Sequence, residues 1–337
     1  MENVAVPARL TFDQRKIKIF LLDHIIEVCL IILIIGLTFG ANGFMSWANW
    51  MNILRANSLK GVIAFGMTMV IIAGLIDLSI GSIVGLAGVI VAVACRDLTG
   101  MGIDINVACL IGILVCLVQA VTTGWLHGFF QHKTGMPPFI VTLVTLNLFL
   151  GLAGRLSGGF PIANQFPEWF NQLGGGRIGG PSGIPIPAII LVASFFIVWF
   201  IMEYSTTGRA AYAVGGNPES ARLSGINVGK TKIIAFITVQ LLAVISGFMT
   251  AGQVMSGTFS FGKGWELDVI AAVVVGGTSF NGGAGKVSGT FIGVIFMGVI
   301  GNGMTLLNID IHTQYIVKAV IVFLAVLLSS YRAKLKA

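Results

Sequence analysis

Unbroken apolar runs of 18 residues and more recur from one end of this chain to the other. That is the length an α-helix needs to cross a hydrocarbon layer ~30 Å thick. A membrane barrel would instead show ~10-residue segments of alternating hydrophobicity, and the sequence has no such pattern. Charged residues make up 10% of the chain and hydrophobic ones 56%, where a soluble domain carries about 25% charged residues. The fold class is therefore an all-α integral membrane protein.

The apolar runs predict spans at 19–40, 59–76, 79–95, 106–126, 138–154, 186–203, 232–254, 266–281, 286–306 and 312–330, about ten transmembrane helices. The first follows Arg9, Arg15, Lys16 and Lys18 as a signal peptide would, but it is too long and has no small-residue cleavage site close behind it. With the N-terminus inside, the outer side holds Arg55, Lys60, Arg96, Arg155, Arg177 and Lys263. Lys318 falls within the last span, which leaves 13 of the 20 Lys and Arg on the inner side. That bias places both termini in the cytoplasm. The expected organisation is a cytoplasmic tail over 1–18, one transmembrane domain over 19–330 and a second tail over 331–337. The net charge of +7 is explained by the inner loops and does not call for nucleic acid.

Two polar breaks interrupt the apolar pattern. In "AGLIDLSIGS" (73–82) a carboxylate, Asp77, sits between two spans, with "DLS" reading as an N-cap for the next helix at a turn that reaches water. Shifting the chain by 204 residues lays 73–85 over 277–289, so that Asp77 meets Asn281 and Gly81 meets Gly285. The interruptions near 77–79 and 281–286 have the form of a transporter's hinge or pathway, or equally of a small-residue packing face. Asp77, Ser79, Asn147, Thr278, Ser279 and Asn281 are the candidates for a pathway or hinge. Interhelical hydrogen bonding is the plainer role for most intramembrane polar groups. Glu266 and Asp268 begin a span near the outer surface, where the helix dipole favours acids; an outer gate or a contact with an outside protein is the second reading.

The outer loop 155–185 is dense in glycine and proline, with "NQFPEWFNQL" forming an interfacial turn that puts Trp169 and Phe170 at the headgroups. The inner loop 204–231 contains Asn217-Pro218-Glu219, a helix start made of a capping side chain, a first-turn proline and an acid at the positive end of the dipole. The short helix then runs to Gly225 and displays Arg222. From the residues alone it is either a docking element or a solvated connection. His127, His132 and the four cysteines lack metal-ligand spacing, so no metal site is expected.

Three segments carry a resemblance: "AVGGNPESARLSGINVGKTK" (213–232), "WELDVIAAVVVGGTSFNGGAGKVSGTFIGVI" (265–295) and "GLIDLSIGS" (74–82). Together they resemble the permease subunits of bacterial ABC importers for monosaccharides, the ribose, galactose, xylose and arabinose group. The similarity covers the chain from about residue 50, and Leu75 replaces a glycine usual in that family. It implies a permease homodimer in the inner membrane, carrying on the cytoplasmic side two copies of, or one fused, ATP-binding subunit that holds ATP and Mg. It also implies an extracytoplasmic sugar-binding protein, and no enzyme activity or cofactor in this chain. The 213–231 loop would be the coupling segment, with Gly216, Asn217, Pro218, Glu219, Ala221, Arg222 and Gly225 facing the ATPase. Glu219, Ala221 and Gly225 stand at the E-A-A-x-x-x-G positions, with Ser220 at the middle alanine. "GGAGKVSG" (282–289) lacks the spacing of a phosphate-binding loop. The rival from another class is an ion-coupled secondary transporter in which Asp77 is the ion site. A membrane enzyme would need a catalytic cluster that the sequence does not show.

Overall fold

The computed structural model describes residues 24–336, with side chains over 24–327. The tail expected over 1–18 lies outside the described residues. Among the described residues, thirteen helices account for nearly all of the regular structure: α1 (Ile25–Gly40), α2 (Trp47–Ile72), α3 (Ile80–Gly100), α4 (Ile105–Thr134), α5 (Pro138–Ser157), α6 (Glu168–Gly175), α7 (Ile186–Tyr204), α8 (Thr206–Gly216), α9 (Pro218–Leu223), α10 (Val228–Val254), α11 (Trp265–Val275), α12 (Val287–Leu306) and α13 (Ile311–Lys336). Each of the ten predicted apolar segments carries one of them.

Among the described residues, seven helices are long and apolar enough to cross a membrane: α2, α3, α4, α5, α7, α10 and α12. The described part of α1 and the apolar stretch Ile311–Leu327 of α13 are shorter. The segment predicted as a span over 266–281 is corrected. Its helix, α11, has 11 residues, or ~16 Å of rise, about half of what a full crossing needs. The glycine pair Gly276-Gly277 ends it, with Gly277 at φ +88°. Two other boundaries move outward, since α2 begins at Trp47 and α4 continues to Thr134. Arg55 thus lies on α2 rather than before it, with Lys60 further along the same helix, and His127 and His132 lie on α4. Similarly, α13 continues to Lys336, so most of the expected 331–337 tail is the end of the last helix.

The centre of the bundle is α10, which packs against α4, α2, α3 and α6. Glycine permits the approach. Gly124 and Gly128, four residues apart on one face of α4, lie against the backbone at Ile237 and Ile233; added Cβ atoms would come within 2.5 Å and 2.6 Å of the two Cα atoms. Close packing of small residues takes the place of a hydrophobic force that lipid cannot supply. On α2 every residue from Gly61 to Ile72 is buried, and Phe65 meets Phe195 of α7, whose ring meets Phe291 of α12. Leu114, Val118, Val144, Leu148, Phe196 and Phe200 remain exposed on α4, α5 and α7, apolar faces suited to lipid or to another membrane chain.

The loop 155–185 is more ordered than its composition implies. Two short antiparallel pairs tie it down: Ile162–Ala163 with Ser256–Gly257, and Arg177–Ile178 with Ile184–Pro185. The interfacial placement of Phe170 is also corrected. Its ring is fully buried, stacked on Phe166 at 4.8 Å and edge-on to Phe248. Trp169 stays partly exposed and donates its indole N–H to Asn106 Oδ1 at 2.9 Å.

Candidate functional site

The residues 73–79 between α2 and α3 are an extended break, and its carboxylate is not at a water-exposed turn. Asp77 is fully buried. Its Oδ1 accepts from the Ser79 backbone N–H at 2.9 Å and from the Ser79 hydroxyl at 2.6 Å, and its Oδ2 accepts from Gln240 Nε2 at 2.6 Å. Gln240 lies 12 residues into α10, ~18 Å along the helix axis from its first residue, which places Asp77 well inside the bundle. The cap reading survives in modified form: Asp77 holds the N–H of Ser79, and Ser79 itself immediately precedes α3. Ser79 is equally buried and also accepts from Gln240 at 2.9 Å.

His127 completes this cluster. Its Nδ1 lies 3.5 Å from Asp77 Oδ2, and its Nε2 pairs with Thr145 Oγ1 of α5 at 2.8 Å. The ring stands edge-on to Phe236. A buried carboxylate persists only where donors satisfy it, and here they come from the break and α10, with the His127 ring of α4 standing alongside. The cluster therefore fixes the path of the chain between α2 and α3.

The second break, 276–286, joins α11 to α12 and meets the first one directly. Gly283 donates its N–H to the carbonyl oxygen of Ile72, the last residue of α2, at 2.8 Å. A Cβ on Gly282 would lie 3.0 Å from Gly74 Cα and 2.8 Å from the carbonyl oxygen of Gly215. A Cβ on Gly215 would collide with the Ile72 carbonyl oxygen, and one on Gly283 would come within 2.8 Å of Gly216 Cα. Tyr212 of α8 donates its hydroxyl to the Gly285 carbonyl at 2.9 Å. Both breaks and the end of α8 thus share one contact point, where backbones touch without side chains between them.

From that point the chain turns into α9. Asn217 Oδ1 accepts from the N–H groups of Glu219 and Ser220, each at 3.0 Å, and Pro218 occupies the first turn. Gly225 follows with φ +82°, a conformation that disfavours any side chain. Ala221 points inward, buried with Val214 and Val228. Gly216, Asn217, Pro218, Glu219, Arg222 and Gly225 are exposed. Glu219 and Arg222 pair at 2.6 Å. The guanidinium holds the Glu219 carboxyl below the usual carboxylate range, so the pair stays ionised at neutral pH and is lost only as pH falls through that lowered value. Beside them Leu223 is 74% exposed.

The remaining candidates separate. Thr278 is buried, with its hydroxyl unpartnered. Ser279 Oγ accepts from the Asn281 N–H at 3.3 Å, and Asn281 is exposed, so the sequence echo of Asp77 does not extend to its environment. Asn147 lies on the exposed face of α5, bonded only to its own helix at Leu143. Asp268 binds Lys60 of α2, and Lys318 of α13 stands 3.7 Å from the same oxygen. Glu266 Oε2 lies beside Gly81, 2.7 Å from where a Cβ would be.

Residues 49–327 match the family described as "Branched-chain amino acid transport system / permease component". The chain belongs to this permease family. The permease is 36% identical over 313 residues to the ribose import permease protein of Escherichia coli (strain K12), which covers 93% of this chain and 95% of the relative. The ribose import permease protein of Bacillus subtilis (strain 168) is 38% identical over 300 residues, 89% of this chain and 90% of its own. The L-arabinose transport system permease protein of Escherichia coli (strain K12) is 34% identical over 293 residues, 87% and 86% of the two chains. No solved structure matches the permease. It is thus the permease component of an ABC importer, a multi-pass protein of the bacterial inner membrane and not itself an enzyme.

Sequence reasoning missed Gln240 and His127 as partners of Asp77. The signal was present, since each is a polar side chain within an apolar helix, but nothing in one sequence says which residues meet. Helix α8 was also missed, and with it the Gly215–Gly216 contact; "GRAAYAVGG" reads as a loop because of its glycines. Leu223 carries no signal of its own in the sequence, since a leucine in a short helix is as often buried as exposed.

Proposed function

We propose that the permease forms the membrane pathway for a monosaccharide delivered by an extracytoplasmic binding protein. A separate ATP-binding chain, which carries the ATP and Mg, docks on the α8–α9 hairpin and drives the cycle. The observation that carries this reading is similarity along almost the whole chain to permeases named for ribose and arabinose. The exposed Leu223 beside the Glu219–Arg222 pair supports docking, because an apolar knob on a capped helix suits a groove in a partner.

In this reading the ten apolar segments lie in the membrane with both termini in the cytoplasm, and α11 enters only part-way. Two copies of the permease pair in the lipid bilayer, and no nucleic acid is involved. The breaks at 73–79 and 276–286 form the hinge, with Thr278, Ser279 and Asn281 on its second arm, and Asp77 and Ser79 holding the first. Asn147 remains a pathway candidate through the exposed face of α5, which the second copy would have to cover. Glu266 and Asp268 stand at the outer end, toward the binding protein. Selectivity for a neutral, hydrated sugar calls for hydroxyls and amides rather than fixed charge.

The test is uptake into liposomes that hold the permease with its ATPase chain, with the cognate binding protein outside. Ribose or arabinose uptake that needs internal ATP and ignores ionophores supports the proposal. Leucine uptake in place of sugar, or uptake driven by an ion gradient without ATP, contradicts it.

A further inference from the structure

At the end of the bundle opposite the α8–α9 hairpin, the first half of α2, the start of α11, the second half of α12 and the start of α13 line a half-open cavity of about 470 Å³. Three cations line it, Arg55, Lys60 and Lys318, against a single acid, Asp268. One Asp268 oxygen serves both lysines, binding Lys60 and standing 3.7 Å from Lys318. A single carboxylate offsets one of the three charges.

Arg55 is the group left over. Its Nε is buried without a hydrogen-bond partner, and no ion pair to it is found among the described residues. An unsatisfied guanidinium donor in such surroundings is costly unless an acceptor from outside completes it. The amides of Asn57 and Asn302 line the same space. Gly298 lies against Asn57, so closely that a Cβ there would meet its side chain, 2.7 Å from Oδ1. A neutral sugar would leave two positive charges uncompensated. A phosphate group offsets one of them as a phosphodiester and up to two as the free anion, and its oxygens match the forked geometry of a guanidinium.

We infer that this cavity is a phosphate-binding site, with Arg55 as its principal ligand and Lys60 and Lys318 as the neighbouring cations. The same chemistry is presented by an anionic phospholipid headgroup, whose phosphate a guanidinium can bind through two parallel hydrogen bonds, and by a free phosphate. The inference is independent of which solute the permease carries.

The experiment places the full-length permease in nanodiscs of phosphatidylcholine doped with phosphatidylglycerol and measures, by mass spectrometry, the lipid retained after extraction into neutral detergent. A second arm measures the thermal shift caused by inorganic phosphate in phosphatidylcholine alone. The wild type should retain phosphatidylglycerol, Arg55→Gln should lower retention about fivefold or more, and Arg96→Gln, at an exposed arginine paired with Asp97, should leave it unchanged. If phosphatidylglycerol is not retained but phosphate stabilises the wild type and not Arg55→Gln, the source is the free anion and the site stands. Neither retention nor a phosphate shift, or equal loss in Arg96→Gln, overturns it. Should Arg55→Gln fail to run as a single species in size exclusion, Lys318→Gln decides: a clear drop supports the site, and wild-type behaviour in both arms overturns it.

Discussion

The backbone N–H of Gly283 is hydrogen-bonded to the carbonyl oxygen of Ile72 at 2.8 Å. That carbonyl belongs to the last turn of α2, whose acceptors have no partner within their own helix. The break after α11 supplies the donor, and Gly215 of α8 closes over the same carbonyl with no room for a side chain. A displacement of the α8–α9 hairpin cannot leave the two breaks where they are, because all three segments share this contact. This gives a physical route from a docked ATPase to the interior of the bundle.

Asp77 is expected to act through position. In Asp77→Ala, the Ser79 and Gln240 donors lose a buried acceptor, at a cost of about 1–3 kcal/mol for each group left unpaired. Asp77→Asn keeps an acceptor for Ser79 but turns an amide donor toward Gln240, and should cost about 1–3 kcal/mol for that one pair, with partial sugar uptake retained. Chemical denaturation in detergent, paired with uptake in liposomes, checks both. Complete loss of uptake in a well-folded Asp77→Asn protein would show that the charge itself is required.

Gly225 sits at φ +82°, and a Cβ placed on it would meet nothing within 4 Å, so only backbone strain opposes substitution. Gly225→Val should cost about 1–2 kcal/mol in this turn and uncouple ATP hydrolysis from sugar while the protein still inserts. Gly225→Asn, which tolerates the left-handed region, should retain most of the coupled activity. Equal behaviour of the two variants would remove the backbone explanation.

Leu223→Asp should leave folding within about 0.5 kcal/mol of wild type, as an exposed position does. It should weaken binding of the ATPase chain about tenfold or more, in the range of an interface hot spot. Affinity measured between detergent-solubilised permease and the isolated ATPase chain provides the check, and unchanged affinity would place docking elsewhere.

Much of the fold was legible because the hydrocarbon layer sets helix length, and apolar runs report that length directly. The breaks were legible too, since Gly74, Gly277 and Asp77 interrupt the runs. Burial was not. Asp77 reads as a turn residue because sequence shows its neighbours in the chain, and its decisive partner, Gln240, is 163 residues away. The short reach of α11 was hidden for a related reason: "VVVGGTSF" continues the apolar composition, while Gly277 at φ +88° has already ended the helix. In the hairpin, Asn217, Pro218 and Gly225 behaved as local signals do, because capping and left-handed turns depend on a few adjacent residues.

The account turns on the shared contact of Ile72, Gly215 and Gly283, and one measurement tests it most directly. It is sugar-stimulated ATP hydrolysis by the reconstituted importer with Gly215→Val, beside Gly151→Ala on α5, where a Cβ meets nothing within 4 Å. Overpacking of about 1–3 kcal/mol at the junction should leave ATPase binding intact in Gly215→Val, reduce stimulation by about tenfold or more, and spare Gly151→Ala. Full stimulation in a Gly215→Val importer of normal assembly would contradict the claim that the hairpin moves both breaks through this point.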